Sequence, residues 1–111
     1  MNGRMSFAAY VAATRYRAVD HIMIQAQAAN RLAKTVTGPD QQRLYALKCS
    51  LISHALELEP ERLVVSIDKG LISIQNVSNG IRLHVPVSQL TPRAQATVLK
   101  QIACPGGLVA A

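Results

Sequence analysis

Residues 62 to 87 constrain the fold more than any other part of the chain. RLVVSID, LISIQNV and IRLHVPV alternate apolar and polar residues, and the pairs Lys69-Gly70 and Asn79-Gly80 separate them. A two-residue hairpin whose twist matches its strands needs positive φ at its central positions, and Asn-Gly meets that need with little strain. The stretch reads as a three-stranded antiparallel meander, and everything before it reads as helix.

Alternation sorts the strand residues onto two faces. Leu63, Val65, Ile67, Ile81, Leu83 and Val85 share an apolar face. Ile72 and Ile74, or Leu71, join them according to the register of the second strand, which the pattern leaves open. The opposite face carries Ser66, Asp68, Arg82 and His84, with Ser73 and Gln75 in one of the two registers. Pro86 stops the third strand or marks it as an edge, because proline cannot donate to the ladder.

Before the meander, Ser6 is a good N-cap, and Met5 and Tyr10 stand where a hydrophobic staple would close over it. At 100° per residue, Phe7, Val11, Ala18, Val19, Ile22, Ala26, Ala29, Leu32 and Ala33 fall on one side of the helix that follows. Arg17, Asp20, Gln27, Asn30, Arg31 and Lys34 fall on the other. The helix is expected to run about eight turns at 3.6 residues per turn. Arg15 lies inside the apolar sector, where its guanidinium can snorkel or meet a carboxylate. Thr37-Gly38-Pro39-Asp40 breaks the pattern, since glycine ends one helix and proline suits the first turn of the next.

The second helix runs to Leu58 and carries two apolar stripes. One is Leu44, Leu47, Leu51, Ala55 and Leu58, expected to pack on the first helix. The other is Tyr45, Cys49, Ile52 and Leu56, available to the sheet or to a second copy of the chain. Glu57, Glu59 and Glu61 gather where the helix dipole disfavours anions, so cations such as Arg62 are expected to hold them. Past the sheet, Thr91 and Pro92 read as N-cap and N1 of a short helix, with Val98, Leu99 and Ile102 inward, before Cys104-Pro-Gly-Gly ends it. The fold class is therefore α+β in the order αα-βββ-α: a helical hairpin, a three-stranded antiparallel meander and a short C-terminal helix. A flexible leader over 1–5, one domain over 6–103 and a flexible tail over 104–111 complete the expected organisation.

Composition bears on function mainly by exclusion. A chain of 111 residues, 50% hydrophobic, supports one core and not two. One Phe, three Tyr and no Trp leave the core to Leu, Ile, Val and Ala, and leave no platform for stacking bases. Cys49 and Cys104 show no paired spacing, so a reducing, cytoplasmic setting is expected. Arg4 followed by FAAYVAA faintly resembles a secretory signal, but the apolar run ends at Thr14-Arg15, and export is not expected. No apolar run approaches the roughly 20 residues of a membrane span, so no membrane partner is expected.

No pattern carries a specific chemistry. His21, His54, Cys49 and Cys104 match no zinc-site spacing, and the expected reading is a half-buried histidine at the helix interface beside two ordinary thiols. Cys49 and Ser53 are five and one residues from His54, so they point away from it on a helix and gain no base. The six acidic residues form no acid and base pair, and the glycines form no phosphate loop. Neither an enzyme nor a cofactor is expected.

The net charge of +6 is the remaining clue. Residues 1–38 carry +4, 39–61 carry −2 and the rest +4, so two basic segments flank an acidic one. Such a chain attracts a polyanion, or sets the basic helix of one copy against the acidic end of another. The candidate contact residues are Arg17, Arg31 and Lys34 on the first helix and Lys69, Arg82 and His84 on the sheet. Two readings compete. One is a small protein-binding module, an accessory factor or inhibitor of a larger complex that includes nucleic-acid-handling ones, self-associating as a homodimer through its helices. The alternative is a nucleic-acid binder with little sequence specificity. Against the alternative stand the dispersion of the basic residues, which suits an ordinary solvated face equally well, and the lack of helix-turn-helix spacing.

Overall fold

The computed structural model describes residues 7–68 and 71–103, with side chains from residue 18 onward except that of Asp68. The expected Ser6 cap and staple, the leader, the tail, the Lys69-Gly70 turn and the side chains of Arg15 and Arg17 lie outside the described part. Helix α1 spans Phe7–Ala33 and helix α2 Pro39–Leu58. A 3-10 turn at Pro60–Arg62 leads into strands β1 (Leu63–Asp68), β2 (Leu71–Asn76) and β3 (Arg82–Val85). A second 3-10 turn at Val87–Gln89 leads into helix α3, Pro92–Ala103. The three strands form one antiparallel sheet in the order β1-β2-β3, so the expected α+β arrangement is present.

The helical hairpin turns without a glycine at the end of α1. Instead Thr35 Oγ1 donates to the carbonyl of Leu32 at 2.7 Å, and Gln41 Nε2 donates to the carbonyl of Ala33 at 2.9 Å. These side chains satisfy acceptors that the helix end leaves open. Gly38, with φ of 71°, stands at the N-cap of α2, and Pro39 follows as its first residue. Helix α3 begins as its sequence predicts. The backbone N–H of Ala94 donates to Thr91 Oγ1 at 3.2 Å, and Gln95 Nε2 reaches back to the carbonyl of Leu90 at 2.9 Å.

The register pairs Leu63 with Asn76, Val65 with Ile74 and Ile67 with Ile72. It selects Ile72 and Ile74, not Leu71, for the apolar face, and sets Ser73 and Gln75 beside Ser66, Arg82 and His84. Asp68 pairs with Leu71 at the end of the β1-β2 ladder. The second connection departs from expectation. It is not a two-residue turn at Asn79-Gly80, because Asn76 N–H donates to the carbonyl of Ile81 and four residues, 77–80, lie between them. Val77 therefore belongs to the turn. Gly80 still carries the positive φ, 74°, and Asn79 Oδ1 accepts the N–H of Ile81 at 3.1 Å.

One continuous core lies between the hairpin, the sheet and α3. Val19, Met23 and Ala26 of α1, Ile52, Ala55 and Leu56 of α2, Ile74 and Val85 of the sheet and Val98 of α3 are its centre. The stripe assignment on α2 is corrected here. Cys49, Ile52 and Leu56 face the core, while Leu47 and Leu58 of the other stripe are exposed and Leu51 is only partly buried. On α1, Met23 is buried and Leu32 is exposed, against the pattern. On α3 the inward residues are Ala94, Val98 and Ile102, four apart, and Leu99 points out. Ala55 of the first stripe joins Cys49, Ile52 and Leu56 on the buried side of α2, while Tyr45 of the second stripe is only partly buried.

Asp20 is not on the solvent side of α1 as its spacing predicts. Its carboxylate accepts Asn76 Nδ2 at 2.9 Å, and its backbone carbonyl accepts Asn79 Nδ2 at 3.5 Å. Asn76 is completely buried, and this contact fastens α1 to the turn between β2 and β3.

Candidate functional site

The six residues that the sequence points to do not form one patch. Arg31 and Lys34 stand at the exposed C-terminal end of α1. Arg82 and His84 are two apart on β3 and share the polar face of the sheet. Arg82 Nη2 donates to Gln75 Oε1 at 3.0 Å, which holds the guanidinium along the sheet. His84 is half-buried. Arg17 lies within α1, its side chain outside the described part, and Lys69 is outside it altogether. Arg43 and Asp40, both exposed, form an ion pair at 3.4 Å. At the end of α2, Glu57 accepts a hydrogen bond from Thr91 Oγ1, and Arg62 donates to Ser78 Oγ in the turn after β2.

The most distinctive chemistry sits on α2 and was not singled out from the sequence. Lys48 is 8% exposed, and its ammonium donates to the backbone carbonyl of His84 at 2.7 Å. The Tyr45 ring lies beneath it, with the nitrogen 5.7 Å from the ring centre. Among the described residues no carboxylate comes within ion-pair distance of this nitrogen. Burial pushes the ammonium below its usual pKa, Cys49 pulls it back up in part, and the like charge of Lys34 adds the smallest push, downward. The neighbouring Cys49 thiol is pushed up by its own burial, with Lys48 pulling it down less strongly. It is held as a thiol, not poised as a nucleophile.

Both residues wall a cleft of about 450 Å³ between α2, the start of β2 and the segment after β3. Tyr45, Ala46, Leu71 and Pro86 give it an apolar lining, and Gln42 and Gln89 stand at its polar positions. The signal was available in the sequence. Lys48 lies four residues after Leu44 and four before Ile52, so it is a cation inside an apolar arc. Counted only as one charge in an acidic segment, it did not stand out.

His21 and His54 are both exposed, not half-buried at the helix interface, and Cys49 is a buried free thiol. Among the described residues no three His, Cys, Asp or Glu side chains converge as a metal site would require. None of the described helices is long and apolar enough to cross a membrane. The hairpin instead presents apolar side chains to solvent. Ile24, Ala28 and Leu32 recur four apart on the side of α1 opposite Val19 and Ala26, and Leu47 and Leu58 lie on one side of α2. Comparison with known protein families, with curated proteins and with solved structures finds no match for this chain.

Proposed function

We propose that this protein is a non-enzymatic binding module that docks on other protein surfaces, its own second copy first among them, through the outer sides of the α1-α2 hairpin. The observation that supports the reading is the exposure of Leu32, Leu47 and Leu58 at 52%, 47% and 40% on helices whose other sides are fully buried. Apolar residues repeated along neighbouring helices differ from scattered surface leucines, because a partner helix can cover them together. Self-association buries the same surface on both copies and builds a four-helix layer with the sheets outside. Arg82 and His84 then remain on the outer sheets for a further partner, and the small size and basic charge of the chain suit an accessory factor or inhibitor of a larger complex.

Sedimentation of the full chain from micromolar to submillimolar concentration tests the reading. The mass is expected to rise from 12.0 kDa toward twice that value. Leu47→Lys with Leu58→Lys is expected to hold the chain at the monomer mass with its far-UV circular dichroism unchanged. A chain that remains at 12.0 kDa throughout refutes self-association and leaves heterologous partners as the surface's use.

A further inference from the structure

We propose that the cleft between α2, the start of β2 and the segment after β3 is a binding site for a small monocarboxylate with an apolar body. The carboxylate meets Lys48, and the body lies against Tyr45, Leu71 and Pro86.

Three observations converge on this ligand class. First, a volume of about 450 Å³ falls in the range of roughly 300–1,000 Å³ that small-molecule sites occupy. The lining is mainly apolar with a few polar positions, the composition of such a site. Second, Lys48 is more than nine-tenths buried and faces this cleft, yet its one protein acceptor among the described residues is a neutral carbonyl. An ammonium carries three donors, and buried charges in proteins are ordinarily paired with an opposite charge. A neutral carbonyl and a ring face orient the ammonium without neutralising it. Third, the surrounding charge favours an anion. The chain as a whole carries +6, so an anion is drawn to its surface and to this lysine.

The chemistry of the walls narrows the anion. A single buried cation neutralises one negative charge, and Leu71 and Pro86 offer nothing, and Tyr45 no more than one hydroxyl, to the second charge or the hydration of a phosphate monoester. A carboxylate joined to an alkyl or aryl body satisfies the ammonium at one end and displaces water from the apolar walls at the other. Gln42 and Gln89, at the polar positions of the same cleft, supply amide groups for the second carboxylate oxygen or for a polar substituent. The site lies on the core-facing stripe of α2, away from Leu47 and Leu58, so it stands independently of the docking surface proposed above.

Titration of the full chain with octanoate, 1-octanol and octylamine, followed by calorimetry and amide chemical shifts, tests the proposal. Octanoate is expected to bind with saturable shifts at Tyr45, Cys49, Leu71 and Gln89. 1-Octanol is expected to bind roughly tenfold more weakly, the ratio that a charge-assisted hydrogen bond confers, and octylamine not at all. Lys48→Met should retain the fold and bring octanoate and 1-octanol to equal affinity. Ala46→Phe changes an exposed residue at the mouth of the cleft, keeps Lys48, and should block octanoate. The absence of saturable octanoate binding up to about 10 mM, equal affinity for octanoate and 1-octanol in the unaltered chain, or shifts confined to the outer hairpin would each overturn the proposal. Binding of an acidic peptide at the cleft with none of octanoate would overturn it as well, and assign the site to protein recognition.

Discussion

The bond between Asp20 and Asn76 joins residues 56 apart in sequence, and it makes a quantitative prediction. Asn76 is fully buried at the end of β2. Its Nδ2 donates to Asp20 Oδ1 at 2.9 Å, and its Oδ1 accepts the N–H of Ser78 at 3.3 Å. The first bond is charge-assisted and the second is neutral and long. Hydrogen bonds to charged groups contribute about 1.5–3 kcal/mol and neutral ones about 0.5–1.5. Asp20 is half-buried and regains some water when its partner is removed, which lowers the first figure toward its lower end. Asn76→Ala is therefore expected to cost about 2–3 kcal/mol. Asp20→Ala leaves a buried amide donor unpaired and is expected to cost about 1–2 kcal/mol.

Because each substitution removes the same bond, the double variant should cost less than the two together, with a coupling of about 1–2 kcal/mol. Urea unfolding followed by circular dichroism measures all three. Asn76→Asp adds a sharper check, since it sets two carboxylates where one hydrogen bond stood. That variant should gain stability as pH falls and one of the pair takes up a proton. Additivity of Asp20→Ala and Asn76→Ala to within about 0.3 kcal/mol would show that this contact does not tie α1 to the sheet, and would refute the reasoning.

Three further predictions concern α2 and the basic residues. Ile52→Ala should cost about 2–5 kcal/mol, Leu51→Ala less, and Leu47→Ala within about 0.5 kcal/mol; equal losses by denaturant unfolding would mean that α2 is rotated from the orientation described. With Cys104→Ser to isolate the remaining thiol, Cys49 should react with a disulfide reagent at pH 8 at least roughly tenfold more slowly than a free thiol. Its raised pKa means that the folded chain keeps a proton that the unfolded chain loses near 9.0, so its contribution to stability is full below that pH and declines as pH rises through the folded value. Cys49→Ala should flatten that decline, while Lys48, lowered from 10.5, acts in the opposite sense; reaction of Cys49 as fast as a free thiol would contradict its burial. Finally, if the nucleic-acid alternative holds, replacing Arg17, Arg31 and Lys34 with Gln should leave folding intact and reduce the slope of log affinity against log salt by about 2–3, read by fluorescence anisotropy with random-sequence DNA; unchanged binding would refute the role of α1's basic side.

Features legible in the sequence were those that neighbouring residues decide among themselves. Thr91-Pro92 opens α3 because a hydroxyl and a preset φ act within one turn, and Pro86 follows the last residue of β3 because it cannot donate to the ladder. Gly80 carries positive φ as its place in a turn requires. The turn around it is longer than its sequence predicts, closing on the bond from Asn76 N–H to the Ile81 carbonyl; Asn76 is also bound to Asp20, and no local pattern announces a contact across 56 residues. The same limit affected helix faces. Two stripes on α2 are equally apolar, and nothing in their spacing says which meets the sheet; Leu99 and Val98 on α3 are one residue and 100° apart, and only Val98 has a neighbour to pack on.

Sequence alone thus determined the kinds, order and approximate ends of the elements, since hydrophobic period, caps and turn residues act over a few residues. Tertiary packing decided the register of β2, the burial of Met23 and Asn76 and the exposure of Leu32, Leu47 and Leu99. It also converted Lys48 from one charge among twelve basic residues into an ammonium enclosed by a ring, a carbonyl and an apolar cleft. The physical reason is that desolvation and charge compensation depend on which surfaces meet, and the meeting of α2 with β3 involves residues 36 apart.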